Sequence, residues 1–459
     1  MSMLQKLFKS TPLKVQNMAI SLANSRLYKT RYSGKYKIYR NYYAKWDSAN
    51  QNDIQKEKNK RLRLFLEYAK KNSTWYDDKI SEDSIKNNNL KLIPVLEKKE
   101  IIDNLNKIKT ISERDGLVNS TGGTTGASMK TVYTKEDMQE RFAILDNFRA
   151  KHGYKLGKKT AWFSGKNLIS EKDIKNGVCS HYDFINKIRF YSTFHINQNN
   201  FDVYWKSLNE FKPEFIVGFP SSVYEICEIA DSKGLRLNHK VKVFFPTAET
   251  VLPRHREIIG RVLGCKLVDQ YASSEGAPFI LECTKGNLHI HPLTGIFEVV
   301  DEDMQPAEDG ELLVTSFTTH GTPLVRYRVG DRITLSEENK VCKCGSSFPL
   351  VDKIEGRSSD FIYSSEKGKV NLGNLSNSTK GIDGIVSFQI IQEIETEITL
   401  RLVVSDDYNK VEESNFLSAI RERVGKKIEI NVQYVDEILR EKSGKFRIVK
   451  NSLNLNEIS

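Results

Sequence analysis

Residues 119–126 read Asn-Ser-Thr-Gly-Gly-Thr-Thr-Gly. Glycine lets a backbone approach a ligand closely and adopt positive φ. Backbone amides together with Ser and Thr hydroxyls make an uncharged, donor-rich cradle for phosphate oxygens. No Gly-Lys-Ser/Thr closes the run, so it is not a Walker-type loop. Taken alone, such a run is an ordinary surface turn. A second set of residues suits a metal ion: Cys342 and Cys344 stand one residue apart, and upstream Cys283 precedes His289 by six positions. Three thiolates and an imidazole form a closed tetrahedral set for Zn²⁺, although Cys-x-Cys is tighter than the usual spacing. His291 is an alternative imidazole, and reduced cysteines with surface histidines are the plain alternative.

These residues need elements to hold them. Residues 13 to about 110 are expected to be mainly helical, with charged faces and few glycines; Leu64, Phe65, Leu66, Tyr68 and Ala69 supply a core face. From about 111 short apolar runs lead into polar or glycine-bearing segments. Phe215-Ile216-Val217 precedes Gly218-Phe219-Pro220, Val241 to Phe245 precedes Pro246-Thr247-Ala248-Glu249-Thr250, and Lys266-Leu267-Val268 precedes Tyr271 to Glu275. Apolar strands ending in such loops imply an α/β sheet whose ligands sit beyond the carboxyl ends of the strands. After Gly356-Arg357 the pattern resets. Alternation at Ile398, Leu400, Leu402 and Val404, a helix face of Phe416, Leu417, Ile420 and Val424, and alternation from Ile428 to Tyr434 predict a small β-α-β module.

Length and composition set limits. The chain of 459 residues exceeds what one core supports, so two or more domains are expected. Hydrophobic content of 39% with 28% charged residues fits a globular protein and excludes a disordered one. Apolar runs fall short of the roughly 18 residues of a membrane span, and Ala19-Ile20-Ser21-Leu22-Ala23 is too short for a secretory signal, so a cytoplasmic location is the default. The six cysteines are then expected to stay reduced. The net charge of +11 is concentrated: residues 1–46 hold ten Lys/Arg and no Asp or Glu. Two readings of this arm stay open, a peripheral contact with anionic lipid and a helical wrap with a solvated basic face. No nucleic-acid signature accompanies the charge.

In order and spacing the motifs resemble those of the adenylate-forming ligase superfamily, and within it the phenylacetate–coenzyme A ligase branch with its relatives in capsular polysaccharide loci. The resemblance runs from Pro94-Val95-Leu96-Glu97-Lys98 to Lys445. It implies an α/β protein with a large adenylate-forming domain and a small mobile α+β C-terminal domain. Residues 1–110 form the helical, basic region of the large domain, 111–355 its ATP- and acyl-binding core, 356–360 the hinge, and 361–459 the lid.

The resemblance also assigns roles. Ser120, Thr121, Gly122, Gly123, Thr124, Thr125 and Gly126 match the loop for the β- and γ-phosphates of ATP; many members follow it with Lys and Pro, whereas Ala127-Ser128 stand here and Lys130 is a substitute charge. In Tyr271-Ala272-Ser273-Ser274-Glu275 the phenol stacks on adenine, Ser274 bonds phosphate and Glu275 holds Mg²⁺. Glu249 and Thr250 match the segment beside adenine and the acyl pocket, with Phe219 and Pro220 among its walls. Asp331, in Tyr327-Arg328-Val329-Gly330-Asp331, accepts the ribose hydroxyls. Arg357 contacts ribose or phosphate, and Ser359 stands where the family has an acidic pivot. Lys445 is the catalytic lysine that bridges carboxylate and α-phosphate.

The implied reaction activates a carboxylic acid as its acyl-adenylate, releases pyrophosphate and transfers the acyl group, first of all to coenzyme A. Transfer to an amine or hydroxyl in surface polysaccharide synthesis is the close alternative. A catalytically silent nucleotide-binding partner is the distant one, favoured by the departures after Gly126 and at Ser359. The acid, the acceptor and whether the chain forms a homodimer are not legible.

Overall fold

The computed structural model describes residues 11–121, 129–165, 169–337, 340–355, 361–379, 381–438 and 448–453. Residues Gly122 to Ser128, the joint at 356–360 and Lys445 lie outside these. The chain forms two units, one from residues 1–40 and 142–269, the other from 41–141 and 270–459. The expected stretch 111–355 therefore contributes to both.

In the first unit the three apolar runs singled out above become parallel neighbours. The strands Phe215–Gly218, Val243–Pro246 and Lys266–Leu267 lie side by side, continued by Thr160–Ser164 and Ile188–Ser192. Ser180–Asp183 closes the six-stranded sheet as its antiparallel edge. Phe163, Ile216 and Phe244 are fully buried, as expected of strands covered on both faces. Gly218 has φ +145°, and a Cβ there would meet the Phe163 carbonyl oxygen at 2.0 Å; glycine ends this strand because nothing larger fits. The helices Phe201–Phe211, Pro220–Ser232 and Pro253–Leu263 supply the apolar cover. The N-terminal helix Leu13–Tyr32 packs through Tyr32 on Phe142 at its end and through polar residues along its first three turns. The Asn17 side-chain oxygen accepts from Tyr182 N–H at 3.1 Å, Ser21 Oγ accepts from Phe184 N–H at 3.2 Å, and Asn24 donates to Asp183 at 2.9 Å.

The second unit is organised around an antiparallel sheet of seven strands. Their order is Gly295–Val300, Asp309–Ser316, Tyr327–Leu335, Leu350–Glu355, Leu288–Ile290, Ile280–Glu282 and Gln270–Tyr271. Its core joins Leu62, Phe65 and Leu66 of the helix Gln51–Asn72 to Ile280, Leu312, Val314 and Ile333 of the sheet. The helical reading of residues 13 to about 110 is met by the helices 13–32, 36–45, 51–72, 82–86 and 98–108. Residues 362–449 hold a separate apolar cluster. There Glu397–Val404 and Glu429–Tyr434 run parallel with the helix Lys410–Val424 between them, the expected β-α-β module, extended by Ile385–Ile394 and Val449–Asn451. No helix among the described residues is long and apolar enough to cross a membrane.

Candidate functional site

The glycine-hydroxyl run sits in a hairpin. Strands Leu117–Thr121 and Met129–Tyr133 pair antiparallel, with Ser120 opposite Lys130 and Thr121 opposite Met129. Ser120 is half-buried at the mouth of the loop; Gly122, Gly123, Thr124, Thr125 and Gly126 lie outside the described residues. Lys130, the substitute charge, forms an exposed ion pair with Asp383 at 3.8 Å, an interaction of little energetic weight.

Both hairpin strands reach the acidic turn. Asn119 Nδ2 donates to the Ser274 carbonyl at 2.7 Å, and the Tyr133 hydroxyl donates to the same oxygen at 2.9 Å. Burial pushes the Tyr133 phenol up to about 12 against the pull of Arg141, so it keeps its proton. The next carbonyl but one is held as firmly. Gly276 O accepts from Arg141 at 2.9 Å and from Ser316 Oγ at 2.6 Å, and Arg141 also bonds Ala277 O and Thr318 Oγ1. Gly276 has φ +115°, and a Cβ there would stand 2.3 Å from Thr319 Cγ2. Between the two clamped carbonyls lies Glu275, half-buried. A clamped backbone presenting a carboxylate beside the strands Leu117–Thr121 and Met129–Tyr133 suits a hard cation.

Tyr271 and Asp331 meet. The phenol donates to Asp331 Oδ2 at 2.8 Å, while the half-buried ring packs against the large core. Asp331 owes its position to a bulge: Glu311 pairs with Arg332 and Leu313 with Arg328, so three residues face one, and Gly330 takes φ +85°. A bulge re-aims a side chain out of the ladder, which explains why a glycine precedes this aspartate. Arg328, within the same motif, is bound in ion pairs to Glu97 at 2.7 Å and to Glu311.

Glu249 belongs to the first unit. Its carboxylate accepts from Ser221 N–H and Ser221 Oγ, each at 3.0 Å, which places it at the start of the helix Pro220–Ser232. Such a carboxylate satisfies amides left open at a helix N-terminus. Burial pushes its pKa up to about 7, with the Ser221 donors pulling the other way. Ala248 before it takes φ +65°. Arg357 and Lys445 lie outside the described residues.

The metal set assembles. The ligating atoms of Cys283, His289, Cys342 and Cys344 all lie within 4.8 Å of one another. Cys283 Sγ and Cys342 Sγ are 3.7 Å apart, and Cys344 Sγ is 3.5 Å from His289 Nε2. Bonds of about 2.3 Å to sulfur and 2.05 Å to nitrogen give tetrahedral edges of about 3.8 and 3.6 Å, so the geometry fits a zinc-sized ion. His289 Nδ1 stands 2.9 Å from the Phe348 carbonyl; since a carbonyl only accepts, Nδ1 carries the proton and Nε2 keeps its lone pair for the thiolates. Burial opposes ionisation of Cys342, but donors from Cys344, His289 and Asn287 prevail and pull it down to about 6. His291, the alternative imidazole, packs on Tyr43 and Phe348 instead.

Asn119, Tyr133, Arg141, Ser221 and Ser316 were not singled out by type or spacing for these roles. Asn119 adjoins the glycine-hydroxyl run, which was a usable signal; Tyr133, Arg141 and Ser316 bond backbone carbonyls far away in sequence, and Ser221 bonds the Glu249 carboxylate 28 residues on.

With this geometry in view, comparison with known proteins decides the family. The chain is 30% identical to Protein CapK of Staphylococcus aureus over 98% of its own length and all of that protein's. It belongs to the CapK branch of the adenylate-forming ligases. Residues 362–452 match the CapK C-terminal domain. The chain is also 26% identical to the indoleacetate–lysine synthetase of Pseudomonas savastanoi, over 53% of this chain and 60% of that one. With the phenylacetate–coenzyme A ligase of Thermus thermophilus it shares 28% identity over 49% and 55%. The chain thus spans little more than half of these two relatives. The structure of 2-hydroxyisobutyryl-CoA ligase with 2-HIB-AMP and CoA shares the fold, with a TM-score of 0.60 at 16% identity over 89% of this chain and 92% of that one.

Proposed function

We propose that this protein activates a carboxylic acid with ATP, releasing pyrophosphate and forming an acyl-adenylate, and then transfers the acyl group to coenzyme A. The observation that carries this reading is the double hydrogen bond from Asn119 and Tyr133 onto the Ser274 carbonyl. It ties the hairpin of the hydroxyl-glycine loop to the turn that presents Glu275. The difficulty in such a reaction is charge, because a carboxylate must approach a polyanion and negative charge must leave. Preorganised donors and cations are the remedy.

In this reading Ser120 to Gly126 hold the β- and γ-phosphates, Glu275 holds Mg²⁺, and Ser274 bonds phosphate. Tyr271 stacks on adenine while its hydroxyl fixes Asp331 for the ribose. Residues 361–459 form a lid that swings about 356–360, bringing Arg357 and Lys445 to the reacting groups. Screening carboxylic acids by ATP–pyrophosphate exchange tests the first step: one acid class should support exchange, and no exchange with any acid would contradict it. One observation favours a second acceptor. A relative at 26% identity is an indoleacetate–lysine synthetase, so an amine acceptor competes with coenzyme A. Supplying each acceptor to the activated acid separates them, since one gives a thioester and the other an amide.

We also propose that Cys283, His289, Cys342 and Cys344 bind one structural Zn²⁺, the closed four-ligand set of such sites. Metal analysis should find one zinc per chain. Cys342→Ser should reduce that to near zero and lower the unfolding temperature by several degrees, because metal binding is folding energy. Metal-free wild-type protein with an unchanged unfolding temperature would contradict the site.

A further inference from the structure

The first unit carries an apolar, basic surface that the proposed chemistry does not use. On the helix Leu13–Tyr32, residues 15, 18, 22, 26 and 29 recur at three- and four-residue spacing and share one face. Val15, Met18 and Leu22 on it are 44%, 49% and 57% exposed, and Arg26 and Lys29 follow, also exposed. The opposite side holds Asn17, Ser21 and Asn24 against the edge strand. Over its first three turns the helix therefore turns polar residues inward and shows Val15, Met18 and Leu22 to water, the reverse of an ordinary surface helix; Tyr32 at its end packs on Phe142.

The turn beside it has the same character. Phe184 and Ile185 are 50% and 44% exposed at the tip of the hairpin formed by Ser180–Asp183 and Ile188–Ser192. The bond from Phe184 N–H to Ser21 Oγ sets this tip against the helix, one residue before Leu22 in the chain. The tip is fixed: buried Asp183 accepts from the backbone of Ile185 and Asn186 at 3.1 and 3.0 Å, and from the Asn186 and Asn24 side chains at 2.8 and 2.9 Å. Exposed Lys187 follows with φ 58°. Five of the sixteen exposed large hydrophobic residues among the described ones thus gather on one helix face and one adjoining turn, which scattered exposure would not produce.

Charge selects the occupant. Residues 13–46 contain eight Lys/Arg and no Asp or Glu, whereas the chain beyond residue 46 is nearly neutral. A protein partner would need a matching acidic groove; an anionic lipid surface needs only headgroups for the cations and acyl chains for the apolar tips. We propose that Val15, Met18, Leu22, Phe184 and Ile185, flanked by Arg26, Lys29 and Lys187, dock this protein on an anionic membrane surface. The docking does not rest on the enzymatic reading.

Flotation of the full chain with phospholipid vesicles tests it. Vesicles mixing phosphatidylcholine with anionic phosphatidylglycerol should carry the protein, and phosphatidylcholine alone should not. Leu22→Ser with Phe184→Ser should reduce the bound fraction about tenfold or more, and Arg26→Gln with Lys29→Gln about tenfold at low salt. Unfolding temperatures of both variants should stay near wild type, since the altered side chains are exposed. Equal binding to neutral vesicles, no binding to either, or a chain that self-associates through this face until the same substitutions release it would each overturn the proposal.

Discussion

Two glutamates occupy similar sequence settings and opposite structural ones. Glu249 follows Thr247-Ala248 at the end of a parallel strand, and Glu275 follows Ser273-Ser274 beyond a short antiparallel one. The Glu249 carboxylate is taken up by Ser221 at the start of a helix. At Glu275 the protein spends its donors on the neighbouring backbone, on the carbonyls of Ser274 and Gly276, and no described residue hydrogen-bonds the carboxylate itself. A group that must meet a ligand needs its backbone fixed and its charge left available; a group that completes the fold needs the reverse.

Neutralising each carboxylate in turn should separate the two glutamates most widely. Glu275→Gln should lower pyrophosphate exchange by about 10²–10³, the loss typical of one electrostatic contributor, with little change in unfolding temperature. Glu249→Gln should change exchange by less than about tenfold. Equal effects of the two would erase the distinction. Next in size, Gly276→Ala forces a side chain into φ +115° and against Thr319. It should destabilise the protein by about 1–3 kcal/mol and lower exchange as well, because it moves Glu275.

Titration sharpens the contrast on the other side. The Glu249 pKa is raised from 4.5 to about 7 by burial. A carboxyl raised on folding stabilises while protonated, so its contribution is full below 4.5 and is lost as pH rises through about 7. Wild-type stability should therefore fall across that window relative to Glu249→Gln, by on the order of 1–3 kcal/mol. Parallel stability curves for the two proteins would show that Glu249 is not so placed. The smallest effect is expected from Tyr271→Phe. It keeps the ring and removes the bond to Asp331, worth about 0.5–1.5 kcal/mol, and should weaken nucleotide binding less than about tenfold by calorimetry.

The parts of the fold legible in the sequence were those with a local signature. The apolar runs at 215–217, 241–245 and 266–268 announced adjacent strands of one parallel sheet, and the alternation at 398–404 and 428–434 announced a β-α-β module. The antiparallel sheet was not announced. Its inner strands, Ile280–Glu282 and Leu288–Ile290, have three residues each, too few to show a period. Nor did hydrophobic pattern reveal how the first turns of the helix Leu13–Tyr32 pack, since their inward contacts are made by asparagines and a serine. At the candidate site, Tyr271 and Asp331 were named from their motifs and are hydrogen-bonded partners. Where Arg328 points was not legible, because sequence cannot aim a side chain and its partners Glu97 and Glu311 lie far away in the chain. The metal set was legible as residue types, but only the pairing of Leu288–Ile290 with Leu350–Glu355 brings His289, rather than His291, to the cysteines.

A crystal structure determined after soaking with ATP and Mg²⁺ would show where the nucleotide binds. The triphosphate should lie between the 117–133 hairpin and the 274–276 turn, with the cation on Glu275 and the ribose at Asp331. Nucleotide seated elsewhere, or crystals that take up none, would contradict it.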